Sequence, residues 1–355
     1  MPSIKGHIVS GMNKLDNKAR AQILHLLCEG MAIRAITRLT GASKNTVAKL
    51  LSDAGQAFAA YHDRHVRNLK SQRIQMDEIW SFVYSKQDNV RRAKNAPEDA
   101  GDAWTWTAID ADSKLLVSWL VGQRNTDSAL RFVHDLKSRL SNRVQLTSDG
   151  HRPYLTAVDT VFGEDVDYAM LHKIYGASPE GEKRYSPAKC VGAQKRLVTG
   201  SPDEKHVSTS YVERANLTMR MHMRRFTRLT NAFSKKVENH VAAVALHTMF
   251  YNFVRVHQTL KVSPAMAAGV TDKLWEVSDL VQVLEDWEAH QETEPSFDVE
   301  ANKIGEGYFV RVTFPKGETE TLYSYATKAD AIRWIRCEAV VWLWQRREKL
   351  EAKRA

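Results

Sequence analysis

Residues 74–84 read IQMDEIWSFVY, residues 104–109 read WTWTAI and residues 115–121 read LLVSWLV. All three are rich in β-branched and aromatic side chains, as strands are. Residues 110–114, DADSK, stand between the second and third. Their turn-forming side chains predict a hairpin, with Asp110 and Asp112 shaping the turn. Residues 128–140 then place Leu130, Val133, Leu136 and Leu140 at helical spacing. Residues 144–147 form a short apolar run that stops at Ser148-Asp149-Gly150. Residues 153–161 read as a helix and 168–174 as another strand. The order is three strands, helix, strand, helix, strand. It predicts an α/β unit, a mixed sheet with flanking helices.

The pattern changes on both sides of this unit. Toward the N-terminus, Leu24, Leu26, Leu27, Ile33, Ile36, Leu39, Val47, Leu50 and Leu51 recur at helical spacings. They predict helices over 17–29, 32–39 and 44–53. Gly41-Ala42-Ser43 supplies a tight turn, and Ser43 is a good N-cap. This reads as a helix-turn-helix within an all-α domain over 1–55. Its second helix would offer Ser43, Lys44, Asn45, Thr46 and Lys49 to phosphates and base edges. Residues 56–73, with Arg64, Arg67, Lys70 and Arg73, read as a basic helical linker. Toward the C-terminus, 176–206 reads as a polar basic loop and 210–226 as one long helix. Helical pattern continues over 237–251, and the central unit spans 74–270. An acidic helical segment fills 271–295. Residues 296–355 read as a small ββα domain, with a hairpin around Pro315-Lys316-Gly317 and a helix over 328–349.

Charge follows the same divisions. The chain's net charge is +9. Residues 1–73 hold 12 Lys/Arg against 4 Asp/Glu, and residues 181–228 hold 11 against 4. Residues 271–300 hold one Lys against ten acids. Two basic blocks with acidic sequence elsewhere suit a polyanion partner. Cys28, Cys190 and Cys337 are odd in number and far apart, with no CxxC, which argues against a disulfide framework or a zinc finger. No apolar run reaches the roughly 18–20 residues of a membrane span. The first twenty residues lack the apolar core of a signal peptide. A cytoplasmic protein with no membrane partner is expected.

Three acids stand where this order of elements can bring them together. Asp77 lies in the first strand, Asp149 at the C-terminal end of the fourth, and Glu213 one turn into the helix that starts at 210. Each alone has an ordinary reading: an edge acid, a turn former beside Gly150, a helix-surface glutamate. Together they would repel one another unless a cation neutralised them. Hard oxygen ligands suit Mg2+ or Mn2+, and two such ions can cut and rejoin a phosphodiester. Glu78, next to Asp77, is expected on the other sheet face.

The chain resembles the DDE transposases of bacterial insertion sequences, specifically the insertion-sequence-one family. The resemblance is carried by Asp77-Glu78-Ile79-Trp80-Ser81-Phe82-Val83, by Thr147-Ser148-Asp149-Gly150 and by Tyr211-Val212-Glu213-Arg214-Ala215-Asn216-Leu217-Thr218-Met219-Arg220. Arg228, Ala232-Phe233-Ser234-Lys235 and Val237-Glu238-Asn239-His240 continue it, as does the run from Tyr251-Asn252 through Arg255, His257 and Leu260 to Ser263-Pro264-Ala265. It covers about residues 20–285. It implies an RNase H-like catalytic domain with Asp77, Asp149 and Glu213 as catalytic metal ligands. It also implies hydrolysis at transposon ends and attack by the freed 3′-hydroxyl on target DNA. Asn216 and Arg220 would position the scissile phosphate, and Arg224 and Arg225 would hold flanking backbone. His257 is expected to make a structural hydrogen bond. The partners would be double-stranded DNA, inverted-repeat ends and target, handled in the bacterial nucleoid by a homodimer or larger homo-oligomer. Two other readings stay open: a structure-specific metal nuclease on the same fold, and a transposase-derived DNA-binding repressor.

Overall fold

The apolar alternation of residues 74–83 builds a long central strand, β1 (Arg73–Val83). Its neighbours follow from the hairpin and the helical crossovers. β2 (Gly101–Asp110) and β3 (Leu116–Gly122) run antiparallel on one side. β4 (Gln145–Asp149) pairs parallel on the other, then β5 (Asp167–Tyr175) parallel to β4. A sixth strand, β6 (Cys190–Thr199), closes the edge antiparallel to β5. The sheet order is β3-β2-β1-β4-β5-β6. This mixed sheet with flanking helices is consistent with an RNase H-like fold. In this computed structural model the described residues are 15–176, 190–227, 232–293, 295–302, 306–315, 317–337, 339, 342 and 346.

The helices in chain order are α1 (Asn17–Cys28), α2 (Ile33–Thr40), α3 (Lys44–His65), the short α4 (Gln87–Val90), α5 (Thr126–Arg139), α6 (Pro153–Phe162), α7 (Ser210–His222), α8 (Val237–Met249), the short α9 (Pro264–Ala267), α10 (Val277–Thr293) and α11 (Lys328–Cys337). On one face Trp106 of β2 packs against Phe132 of α5 and Tyr154 of α6. On the other, Ile79 of β1 packs with Met219, Met223, Phe226, Ala243 and Val244. Burial of such side chains contributes about 1.5–3 kcal/mol each. A π-helical turn, Phe250–Val254, prolongs α8. It sets Asn252 to bond both the N–H and the carbonyl of Leu116, each at 2.9 Å, which docks the helix on the start of β3.

The N-terminal helices depart from expectation in one respect. Gly41 adopts φ 74°, ending α2, and Ser43 Oγ accepts from the Thr46 N–H at 3.1 Å, starting α3. But α3 does not stop at Asp53. It continues unbroken to His65, so the helix expected over 44–53 and most of the helical linker expected over 56–73 are one element, while residues 66–73 lie beyond it. Ala54, Ala57, Phe58 and His62 are buried along it. α3 lies close against α8: a Cβ placed on Gly55 would sit 2.4 Å from Ala242 Cα and Cβ. Gly55→Ala should therefore destabilise the protein by about 1–3 kcal/mol through overpacking. Urea unfolding measures this. An unchanged midpoint would show that the two helices separate at no cost.

The chain divides into two compact units, residues 1–284 and 285–355. Within the second, β7 (Ser296–Ala301), β8 (Tyr308–Thr313) and β9 (Thr319–Tyr325) form an antiparallel sheet. Val310, Val312, Leu322, Ala331 and Trp334 make its core with α11. This unit has three described strands where two were expected. The short acidic run SFDVEA of β7 gives little apolar signal. Among the described residues, no helix is long and apolar enough to cross a membrane.

Candidate metal centre

Strand pairing places the first two acids. Asp77 pairs across β2 with Thr107, and Glu78 with Trp106. Successive residues face opposite sides of a sheet. Asp77 accordingly meets α7, and Glu78 meets α6. The expected parity of Glu78 is therefore right, and its carboxylate nonetheless comes close to those of Asp77 and Asp149. Pairing of β1 with β4 runs only from Arg73↔Gln145 to Met76↔Ser148. Beyond Met76 the two strands part, and Asp149 ends β4 beside that edge of β1. One carboxylate oxygen each from Asp77, Glu78 and Asp149 lies within 4.8 Å of the others.

Each acid is held by a distinct set of donors. Asn216 of α7 donates from Nδ2 to Asp77 Oδ2 at 2.8 Å. The amide is itself fixed, because Thr107 Oγ1 donates to Asn216 Oδ1 at 3.1 Å. Asp149 Oδ1 accepts from the His151 N–H at 2.9 Å. The side chain of Glu78 is only 1% exposed. Arg124 Nε donates to it at 3.1 Å, and Tyr154 donates its hydroxyl at 3.4 Å. His151 Nε2 lies 3.5 Å from the same carboxylate. Burial and the Arg124 charge lower the His151 pKa, which favours neutral imidazole. Arg124 also reaches Asp149 at 4.0 Å and lies over the Trp104 ring at 4.7 Å.

These acids are under electrostatic stress. Burial, then the negative charge of Asp149, push the Asp77 carboxyl up to about 7. Burial, then Asp149 and Asp77, push Glu78 to about 7 as well, against the pull of Arg124. Converging carboxylates that resist ionising favour any group supplying positive charge. The donor set is all hard oxygen, which fits Mg2+ or Mn2+ and not a soft metal.

Glu213 shares the cleft but stands outside the tight cluster. α7 is seated by Gln75 of β1, whose Oε1 accepts from the N–H groups of Tyr211 at 2.8 Å and Val212 at 3.2 Å. Two free N–H groups of the first helical turn are thereby satisfied. This sets Glu213 over the sheet end. A cleft of about 760 Å³ is lined by Asp77, Asp149 and Glu213 together with Arg124, His151 and Lys173. Both Glu213 oxygens accept from Lys173 Nζ, and one also accepts from Thr209 Oγ1. Sequence reasoning missed Gln75, Glu78, Arg124, His151 and Lys173. Of these, only Glu78 was named from the sequence, and then only for its sheet face.

The other expected contacts fall in several places. Asn216 is buried against Asp77 and does not face solvent. Arg220 lies part-exposed on α7. α7 is shorter than expected, because Met223 turns extended (φ −125°, ψ 104°). Arg224 and Arg225 then fall on a separate 3-10 turn, Arg224–Phe226. Arg225 donates to Ser234 Oγ. The expected loop over 176–206 holds β6, while residues 177–189 lie outside the described set, as does Arg228. Ser43, Lys44, Asn45 and Lys49 are exposed and Thr46 partly so, at the start of α3. Lys49 is paired with Asp53 at 2.5 Å. His257 Nδ1 bonds Thr259 Oγ1 at 3.0 Å, a local structural contact. Arg255 bonds His222 Nε2 at 2.6 Å.

No protein-family model matches the chain, and no curated protein matches it in sequence. Among solved structures, the chain is weakly similar to the piggyBac transposase synaptic complex with hairpin DNA. The identity is 9%, over 77% of this chain and 71% of that one, with a TM-score of 0.34. It is also weakly similar to the Mos1 strand transfer complex, at 12% identity over 69% of this chain and 79% of that one, with a TM-score of 0.19.

Proposed function

We propose that this chain is a metal-dependent DDE-type DNA transposase of the insertion-sequence-one kind. One observation carries the reading. Asp77 and Asp149 converge where β1 and β4 part, with Glu213 lining the same cleft. Asp77, Asp149 and Glu213 would hold Mg2+ or Mn2+. Bound there, two such ions would activate a nucleophilic oxygen and stabilise the leaving oxygen of a phosphodiester.

The remaining groups have roles that follow from their contacts. Arg124 offsets the charge of Glu78 and Asp149, so the acids can stay together before a cation arrives. Asn216 orients Asp77 through a fixed amide and is a positioning residue. Asn216→Ala should lower cleavage by about 10–100-fold, the usual effect of losing a group that orients a ligand. Rates at saturating Mg2+ would check this; an unchanged rate and metal requirement would remove the role. Arg220 and Arg224 would hold DNA backbone, whereas Arg225 is turned inward onto Ser234; the first turn of α3 would enter a groove as the reading helix of a helix-turn-helix. The protein would work as at least a dimer, since two transposon ends must be held at once.

The test is incubation with Mg2+ and duplex DNA carrying the inverted repeats that flank the gene. Specific nicks at the repeat ends, followed by joining to a target duplex, support the transposase. Nicking without joining favours a structure-specific nuclease. Tight binding with no cleavage in either metal favours a repressor.

A further inference from the structure

Among the described residues Lys173 is the one lysine lining the cleft, and its charge is spent on Glu213. The pair is half-open, with side chains 28% and 40% exposed. Three facts make it more than a surface ion pair. Glu213 lies outside the cluster formed by Asp77, Glu78 and Asp149. Thr209, one turn earlier, donates its hydroxyl to the same carboxylate. And Lys173 lines the same cleft as Asp77 and Asp149. A carboxylate that accepts from an ammonium and a hydroxyl binds a cation only against the ammonium's charge. An ammonium with two of its three N–H groups on a carboxylate has one left for a phosphate.

We propose that Lys173 is a latch that exchanges partners when DNA and metal arrive. In the free protein it holds Glu213 away from Asp77 and Asp149. In the loaded protein Glu213 turns to the metal, and the freed ammonium binds a phosphate of the DNA beside the cut bond. Both groups keep their charges throughout, so the exchange needs no proton transfer. It substitutes one charge-assisted contact for another on each side. The device links the two ligands. Metal alone must break the latch, whereas metal with DNA leaves no charge unpaired. Each ligand therefore raises the affinity for the other. This rests on the metal-dependent transposase reading above and adds Lys173 to its DNA contacts.

The test compares wild type, Lys173→Met, Lys173→Arg and Asp149→Asn. Mn2+ binding without DNA is followed by electron paramagnetic resonance. Lys173→Met should bind Mn2+ about 5–10-fold more tightly, because Glu213 is released and a nearby positive charge is gone. The same variant should bind duplex DNA in Ca2+ with a salt slope lower by about one, as expected for one lost phosphate contact. Its cleavage in Mg2+ should fall despite the tighter metal. Lys173→Arg should keep wild-type Mn2+ affinity and recover part of the cleavage. A Lys173→Met protein that binds Mn2+ no tighter than wild type overturns the latch, as does an unchanged salt slope. If wild type has no Mn2+ site that Asp149→Asn removes, the metal-centre reading itself fails and the latch with it.

Discussion

Asp149→Asn will abolish Mg2+-dependent DNA cleavage, lowering the rate by at least about 10³-fold, or about 4 kcal/mol of barrier. The substitution keeps the size of the side chain and leaves an oxygen to accept from the His151 N–H, now at 2.9 Å. What it removes is one negative charge among three converging carboxylates. That charge is costly in the metal-free protein, since it helps push Asp77 and Glu78 upward. The variant should therefore be at least as stable to heat as wild type when no metal is present. Loss of cleavage with unchanged or raised melting temperature separates a chemical role from a structural one. DNA binding in the absence of metal should also survive, because most of the basic side chains expected to touch DNA lie outside the acid cluster, on α3, on α7 and at Arg224 just beyond it. A variant that still cuts at the wild-type rate would remove Asp149 from the chemistry and leave the cluster as an ordinary turn.

The central sheet was legible because its strands carry their own signals. Ile74, Met76, Trp106 and Leu146 face buried layers, and the turn at Asp110–Lys114 is formed by side-chain bonds from Asp110 to the N–H groups of Asp112 at 2.7 Å and Ser113 at 3.1 Å. β6 was illegible for the opposite reason. Its residues, CVGAQKRLVT, are nearly all exposed at an edge, so no buried face imposes an alternation. The extension of α3 was written in Ala54, Ala57, Phe58 and His62 at helical spacing. Gly55, which reads as a breaker, is there because α8 leaves no room for a side chain. At the site, sequence parity put Glu78 on the correct face but could say nothing of distance. Convergence with Asp149 depends on where β1 loses its neighbour, and register is a tertiary property. Asn216 was assigned to a phosphate for a similar reason. Its helical face was readable, but the Thr107 and Asp77 partners that occupy it were not.

Mg2+ should stabilise the protein far more at pH 8 than at pH 5, and the sign follows from the two raised carboxyls. In the unfolded chain Asp77 and Glu78 ionise in the ordinary range near 4; in the folded protein both are pushed to about 7. The folded state thus holds protons that the unfolded state releases. Their contribution to stability is full below about pH 4, declines as pH rises, and is lost above about pH 7. The metal-free protein should therefore lose stability across that window. A divalent cation binds only the ionised acids and competes with those protons. At pH 5 protons hold the site and Mg2+ gains little. At pH 8 the acids are charged, and a cation at 100 times its dissociation constant contributes about 2.7 kcal/mol. Thermal unfolding with and without Mg2+ at the two pH values measures the difference, with Asp149→Asn as the control. The variant should show a shallower decline between pH 4 and 7 and almost no Mg2+ shift at pH 8. An equal Mg2+ shift at pH 5 and pH 8, or one that Asp149→Asn retains, would place the cation somewhere other than between these acids.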